Sequence, residues 1–222
     1  STQIDYIDLA ALNFSTVDSI SIFKGNVTLN AKGNNFIIPS QMDFVNQGAI
    51  TPIPNNGFVI VATEDNTVVD ISLKQPDGNG HPIGTFQIIL NKGQTYAVIG
   101  SSTNALLHLG GTQVKSNKAI CITIYDDSIL LDSSFDLAGD QIVPVGNMGT
   151  EFIIVRGALN GRSLPSNTDF YYIFATEDGT AIYESGSSIA VTTINKGDFY
   201  KGQLSGNSVY INSSKPVYVL QF

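Results

Sequence analysis

The fold of this chain is decided by the stretch Phe58-Val59-Ile60-Val61-Ala62-Thr63-Glu64-Asp65-Asn66-Thr67-Val68-Val69-Asp70-Ile71. A similar stretch returns later as Tyr171-Tyr172-Ile173-Phe174-Ala175-Thr176-Glu177-Asp178-Gly179-Thr180-Ala181-Ile182-Tyr183-Glu184. Each copy reads as an apolar strand, a tight turn at Asp-Asn or Asp-Gly, and a second strand. Those dipeptides tolerate the positive φ that a two-residue hairpin needs. We therefore predict a β-hairpin at both places.

Further motifs recur in the same order around these two copies. The pairs of matching motifs are Gly33-Asn34-Asn35-Phe36 with Gly149-Thr150-Glu151-Phe152, Asn91-Lys92-Gly93 with Asn195-Lys196-Gly197, and Ser116-Asn117-Lys118 with Ser213-Ser214-Lys215. The distance between matching residues shortens steadily along the chain, as it would if the second copy had shorter loops. This order predicts an internal duplication.

The apolar runs are short, rich in β-branched and aromatic residues, and separated by turn residues, which is typical of a sandwich or barrel. We predict an all-β fold of two tandem, internally duplicated, β-sandwich-like subdomains of antiparallel strands. The predicted parts are an edge segment at 1–19, a first repeat at 20–127, an acidic linker at 128–135 and a second repeat at 136–222. Asn91-Lys92-Gly93 should close a three-residue hairpin, and Phe152 to Val155, apolar on both faces, should be a central strand.

Composition excludes several classes of partner. The net charge of the 222 residues is −8, which argues against nucleic acid or an anionic membrane surface. No apolar run is long enough to insert into a membrane as a helix. Cys121 is the one cysteine, so no disulfide can form within the chain.

The succession of Ala62-Thr63-Glu64-Asp65, Leu90-Asn91-Lys92-Gly93-Gln94, Val114-Lys115-Ser116-Asn117-Lys118 and Gly139-Asp140-Gln141-Ile142-Val143-Pro144 resembles one family. It is similar to the N-terminal domain of the IgG Fc-binding protein family, which also occurs in large bacterial surface proteins. The resemblance implies an extracellular, non-enzymatic β module that acts in adhesion or matrix interaction, within a larger multidomain chain. It does not imply that this chain binds antibody.

An acidic run is the best candidate for a metal site. Five carboxylates within fifteen residues belong to Asp126, Asp127, Asp132, Asp136 and Asp140. Calcium takes six to eight hard oxygen ligands, so these side chains could surround a Ca²⁺ ion. The alternative is a solvated linker whose aspartates cap turns. No other cofactor is expected.

The remaining polar motifs have structural explanations. Glu64-Asp65 and Glu177-Asp178 could be paired acidic ligands, but the turn chemistry of aspartate explains them without a ligand. His81 and His108, the only histidines, lie at no spacing typical of a zinc site. There is no Gly-x-Ser-x-Gly motif, and we expect no enzyme. Glycosylation sequons occur at Asn13, Asn26 and Asn212.

Aromatic residues suggest the alternative function. Tyr125, Tyr171, Tyr172, Tyr183, Tyr200 and Phe199 could form a platform that stacks on sugars, or they could be cross-strand packing. Arg156 should pair with a carboxylate at the rim of a sheet. The sequence therefore predicts an extracellular or cell-surface module that binds protein or matrix. The alternative is a glycan-binding module that acts with or without calcium.

Overall fold

The computed structural model describes residues 31–131, 134–157 and 169–221. Several predictions concern residues outside these ranges: the edge segment at 1–19, Asp132 of the acidic run, and the sequons at Asn13 and Asn26.

Fourteen strands and two short 3₁₀ turns make up the described part of the chain. The first half contains β1 (Gly33–Ile37), β2 (Asn56–Ala62), β3 (Thr67–Leu73), β4 (Gly84–Leu90), β5 (Thr95–Ile99), β6 (Gln113–Leu131) and β7 (Ser134–Ile142), with a 3₁₀ turn at Ala105–Leu107. The second half contains a 3₁₀ turn at Val145–Asn147, then β8 (Glu151–Val155), β9 (Phe170–Ala175), β10 (Thr180–Glu184), β11 (Thr192–Ile194), β12 (Phe199–Gln203), β13 (Ser208–Ser213) and β14 (Val217–Gln221). The all-β prediction is confirmed.

The strands form three antiparallel sheets. One has the order β4-β3-β6-β2-β5, with β1 and β7 also paired to β6; the others have the orders β11-β10-β13-β8 and β12-β9-β14. The long strand β6 pairs with different strands along its length. Its first part pairs with β1 and β3, and its later part pairs with β2 and β7.

The strands on either side of the tight turns do not pair with each other, which corrects the predicted hairpins. β2 pairs with β5 and β6, whereas β3 pairs with β4 and β6. The positive φ at Asn66 and Gly179 shows that the turns themselves are tight. Each turn instead connects two strands that have different neighbours in the sheets. The two strands are not paired because both bury apolar side chains in a common core. The predicted three-residue hairpin fails likewise, since β4 and β5 pair with β3 and β2.

Both halves pair their strands in the same order. β4-β3-β6-β1 in the first half corresponds to β11-β10-β13-β8 in the second, and β5-β2-β6 corresponds to β12-β9-β14. The single strand β6 thus stands where the second half has two strands, β13 and β14. This shared order supports the predicted duplication, which stays a prediction together with its domain boundaries.

The three-stranded sheet packs against a hydrophobic core on each of its two faces. From this sheet, Tyr172, Phe174 and Tyr218 pack into the core of the first half. Its alternate residues, including Tyr171 and Ile173, pack against the four-stranded sheet. Side chains of a strand alternate between faces, so a sheet between two cores must be apolar on both. The second half therefore packs directly on the first.

Strand β8 lies at an edge, although its apolar sequence predicted a central strand. Its one partner among the described strands is β13. Ile153 and Val155 are 73% and 60% exposed, while Ile154 is buried. An apolar run does not by itself reveal whether both faces are covered. Of the residues predicted as an acidic linker, 128–135, those that the structure describes belong to strands: 128–131 end β6, 134–135 begin β7, and Leu131 pairs with Ser134.

Candidate functional site

A cleft of about 340 Å³ lies where the β6–β7 hairpin meets the end of β14. Its lining residues come from five parts of the chain and are Pro39, Ser40, Gln41, Asn56, Ile124, Tyr125, Asp126, Leu137, Ala138, Gly139, Asp140, Leu220 and Gln221. Clefts of this size hold small ligands or single side chains of a partner. It combines apolar walls with two carboxylates, and it is the best candidate for a binding site in the described part of the chain.

Asp126 forms the buried end of this cleft and is only 5% exposed. Its Oδ2 accepts a hydrogen bond from Gln41 Nε2 at 2.6 Å, and its Oδ1 accepts one from Asn46 Nδ2 at 2.7 Å. His108 lies behind it, with Nδ1 3.4 Å from Oδ2. Two amide donors at these distances hold the carboxylate in a fixed orientation, which is how proteins retain a buried charge.

The same polar groups fasten the irregular segment between β1 and β2. Gln41 Oε1 accepts hydrogen bonds from the backbone amides of Asp43 and Phe44, both at 2.8 Å. Asn46 Oδ1 contacts His108 Nε2 at 3.0 Å, so this ring nitrogen carries a proton. Gln41 and Asn46 were missed in the sequence, since isolated amides in a loop give no signal of a shared partner.

Burial changes the titration of the buried pair. Loss of water raises the pKa of Asp126, and it lowers the pKa of His108 against the opposing attraction of Asp126. Both shifts have the sign expected when desolvation disfavours the charged form of each group. The pair is therefore a costly feature of the fold, and its hydrogen bonds and the attraction between the two groups offset part of that cost.

The acidic run is only partly brought together. Asp126 and Asp140 lie on one face of the β6–β7 hairpin, because Asp126 pairs with Ala138 and Asp140 pairs with Ile124. Asp127 accepts a hydrogen bond from Ser128 Oγ at 2.9 Å and Asp136 one from the Leu137 amide at 2.8 Å, and both are exposed. Among the residues that the structure describes, no three acidic, histidine or cysteine side chains are placed to hold a metal ion. Calcium binding stays a prediction.

The repeated Glu-Asp motifs build turns. Asp65 Oδ1 accepts from the Lys92 amide at 3.0 Å, and Asp178 Oδ1 accepts from the Lys196 amide at 2.9 Å. In each half a lysine ammonium also donates to the backbone carbonyl of that aspartate, Lys118 to Asp65 and Lys215 to Asp178, both at 2.5 Å. The matching motifs of the sequence thus meet in one cluster of turns per half, so the structural interpretation of these residues is the better one.

The histidines and Arg156 form contacts within the fold. His81 bonds to Asp77 Oδ2 at 2.8 Å and stacks on the ring of Phe86 with 3.8 Å between ring centroids, whereas His108 is buried. Arg156 donates from Nη2 to the Leu204 carbonyl at 2.9 Å, and it forms no ion pair with a carboxylate of the described residues. Arg162 lies outside the described residues.

The proposed sugar platform loses two of its rings. Tyr171 and Tyr172 are 1% and 0% exposed, because they point into the two cores on either side of the middle sheet. Tyr125 and Tyr200 are half-buried, and Phe199 is exposed at the sheet margin. These residues are therefore mainly cross-strand packing.

The outer face of the four-stranded sheet exposes apolar side chains. Ile153 and Tyr210 are directly opposite each other on β8 and β13, and Val155 follows on the same face. Tyr210 is 37% exposed. Glu151 lies beside them, and its side-chain hydrogen bond with Tyr210 raises the pKa of that tyrosine. This face has the aromatic and aliphatic character of protein interfaces.

The fold and these surfaces define a β-sheet module with an open cleft and an exposed apolar face. The chain belongs to the family described as IgGFc binding protein, whose model matches residues 27–222. No curated protein and no solved structure matches the chain. In the described ranges, none of the helices has the length and apolar character needed to span a membrane.

Proposed function

We propose that this chain is a non-catalytic, protein-binding module of a secreted or cell-surface protein, acting in adhesion or matrix interaction. The observation that carries the proposal is membership of the IgGFc binding family over residues 27–222. The exposed side chains of Ile153, Val155 and Tyr210 support it, because contiguous exposed apolar residues on a soluble module commonly mark an interaction surface.

The acidic surface indicates the character of the partner. Aspartate and glutamate number 19 against 11 lysine and arginine residues. Glu151 borders the apolar face of the four-stranded sheet. A partner with apolar side chains and a positively charged margin would complement this surface in both respects.

A glycan ligand is the second candidate, supported by the cleft with its carboxylates, amides and apolar wall. Sugar-binding sites also combine hydrogen-bonding groups with an apolar surface. The burial of Tyr171 and Tyr172 weakens this candidate, since it removes the stacking rings that sequence reasoning assigned to it.

The test is binding to a panel of immobilised proteins: IgG Fc, fibronectin, collagen and a mucin before and after deglycosylation, with and without EDTA. We expect saturable binding to at least one protein, unchanged by deglycosylation and EDTA. The double substitution Ile153→Lys with Val155→Lys should weaken it at least about tenfold, since buried apolar anchors dominate interfaces.

The matched control is Ile89→Lys, an equally exposed isoleucine on β4. It should leave binding unchanged. Binding to the mucin alone, lost on deglycosylation, would favour the glycan-binding alternative. If the chain binds neither a protein of the panel nor a sugar of a glycan array, the proposed function is overturned.

A further inference from the structure

We propose that the cleft between the β6–β7 hairpin and the end of β14 binds a basic side chain, arginine or lysine, of a partner protein. The inference rests on the proposed function only for the source of that side chain. It follows from three properties of the cleft: its hydrogen-bonding groups are mainly acceptors, its charges are negative, and its walls are apolar.

The backbone edge of β7 offers acceptors. The Asp127 amide donates to the Asn55 carbonyl, so the backbone N–H and C=O groups of odd-numbered β6 residues point towards β2. Those of even-numbered β6 residues point towards β7. Residues 137, 139 and 141 of β7 therefore direct their backbone groups away from β6. The amides of Leu137 and Gln141 are already used by Asp136 Oδ1 and Asp140 Oδ1, at 2.8 and 2.7 Å. The carbonyl oxygens of residues 137, 139 and 141 accept no hydrogen bond from the described part of the chain, so they are available to a donor.

The amide side chains of the cleft do not supply competing donors. Gln41 Nε2 donates to Asp126 Oδ2 and to the Phe44 carbonyl, at 2.6 and 2.8 Å. Asn56 Nδ2 donates to Ser40 Oγ and to the Tyr125 carbonyl, and Gln221 Nε2 donates to the Val155 carbonyl and Asp169 Oδ2. The side-chain amide donors of the cleft are thus in use, so a ligand that brings its own donors, as guanidinium and ammonium groups do, is favoured.

The charge in the cleft has no cation among its lining residues. Asp126 and Asp140 line it, whereas lysine and arginine are absent from its lining. The nearest titratable base is His108, on the buried side of Asp126. Charge complementarity thus favours a cationic occupant.

The walls fit the aliphatic stem of such a side chain. Ile124, Leu220 and Pro39 line the cleft, and Leu137, 67% exposed, stands at its rim. Arginine and lysine bury their methylene groups against apolar surface while the charged end reaches polar groups. A bare Ca²⁺ ion would gain nothing from these walls, and the described residues supply two carboxylates where calcium takes six to eight oxygens.

The test is a titration of the ¹⁵N-labelled protein with Nα-acetyl-L-arginine amide, followed by amide chemical shifts. The matched probe is Nα-acetyl-L-citrulline amide, which has the same shape without the charge. We expect saturable shifts at Gly139, Asp140 and Gln221 with the arginine derivative and none with citrulline. Asp140→Asn should weaken binding about threefold to fivefold, the range of partly exposed ion pairs.

The matched variant is Asp136→Asn, which removes the same charge from the same strand outside the cleft. It should bind like the wild type. Equal shifts with citrulline, equal loss in both variants, or no shifts would overturn the inference. Displacement of the arginine derivative by millimolar Ca²⁺ would overturn it in favour of the calcium prediction. If the arginine derivative binds while the protein panel fails, the proposed function falls and this inference stands.

Discussion

At the scale of single residues, the most demanding side chain is Asp126. It is buried, and its two oxygens accept hydrogen bonds from Gln41 and Asn46. A buried carboxylate with fixed donors stabilises a fold only while every donor keeps its partner. The network also fastens the segment between β1 and β2, so a change at Asp126 acts on residues distant in sequence.

Replacing Asp126 by alanine should lower the free energy of unfolding by about 3 kcal/mol, because Gln41 Nε2 and Asn46 Nδ2 would each lose one of their two buried acceptors. Chemical denaturation measures the difference. Asp127→Ala, at the exposed neighbour, should change the free energy by no more than about 0.5 kcal/mol. Equal effects at the two positions would contradict the role assigned to the buried network.

At the scale of elements, the middle sheet β12-β9-β14 is distinctive because it carries tyrosines on both faces. Burial and the adjacent Glu184 raise the pKa of Tyr200 to about 12, and they also raise the pKa of Tyr171. Burial raises the pKa of Tyr218, whose hydroxyl donates to the Val143 carbonyl at 2.5 Å. These phenols stay protonated in the folded state at a pH where they ionise in the unfolded state.

Stability should therefore fall as the pH rises above about 10, the ordinary pKa of tyrosine, because the folded state then binds more protons than the unfolded state. Each fully buried tyrosine contributes a slope of about 1.4 kcal/mol per pH unit. Denaturation between pH 8 and 11 measures this slope. Tyr218→Phe should reduce it by one such contribution, and an unchanged slope in that variant would show that Tyr218 ionises normally in the folded state.

At the scale of the whole molecule, the two halves meet through backbone as well as side chains. Gly111 has φ +81°, and a Cβ atom there would lie 2.0 Å from the Gly197 carbonyl oxygen. Lys74 and Asp198 form an ion pair of 2.5 Å beside this contact. Such an approach is possible only without side chains at either glycine.

Gly111→Ala should therefore destabilise the protein more than Gly93→Ala. Both glycines have similar positive φ, +81° and +78°, so the backbone strain of alanine is alike, but nothing lies within 4 Å of the Cβ position at Gly93. The difference in the free energy of unfolding should be about 1–3 kcal/mol, the usual cost of overpacking. Thermal and chemical unfolding of both variants measure it. Equal losses would show that the contact between Gly111 and Gly197 makes room for a methyl group without cost.

The sequence by itself determined the strand content, the position of the tight turns and the motifs that recur in each half. These depend on local properties: the alternation of side chains, the φ that Asn66 and Gly179 tolerate, and the carboxylates that cap turns. The tertiary structure alone decided which strands pair, that β8 is an edge, and that Gln41, Asn46 and His108 surround Asp126. Those features depend on which apolar faces pack together in one core. That packing is determined jointly by residues that are far apart in the chain.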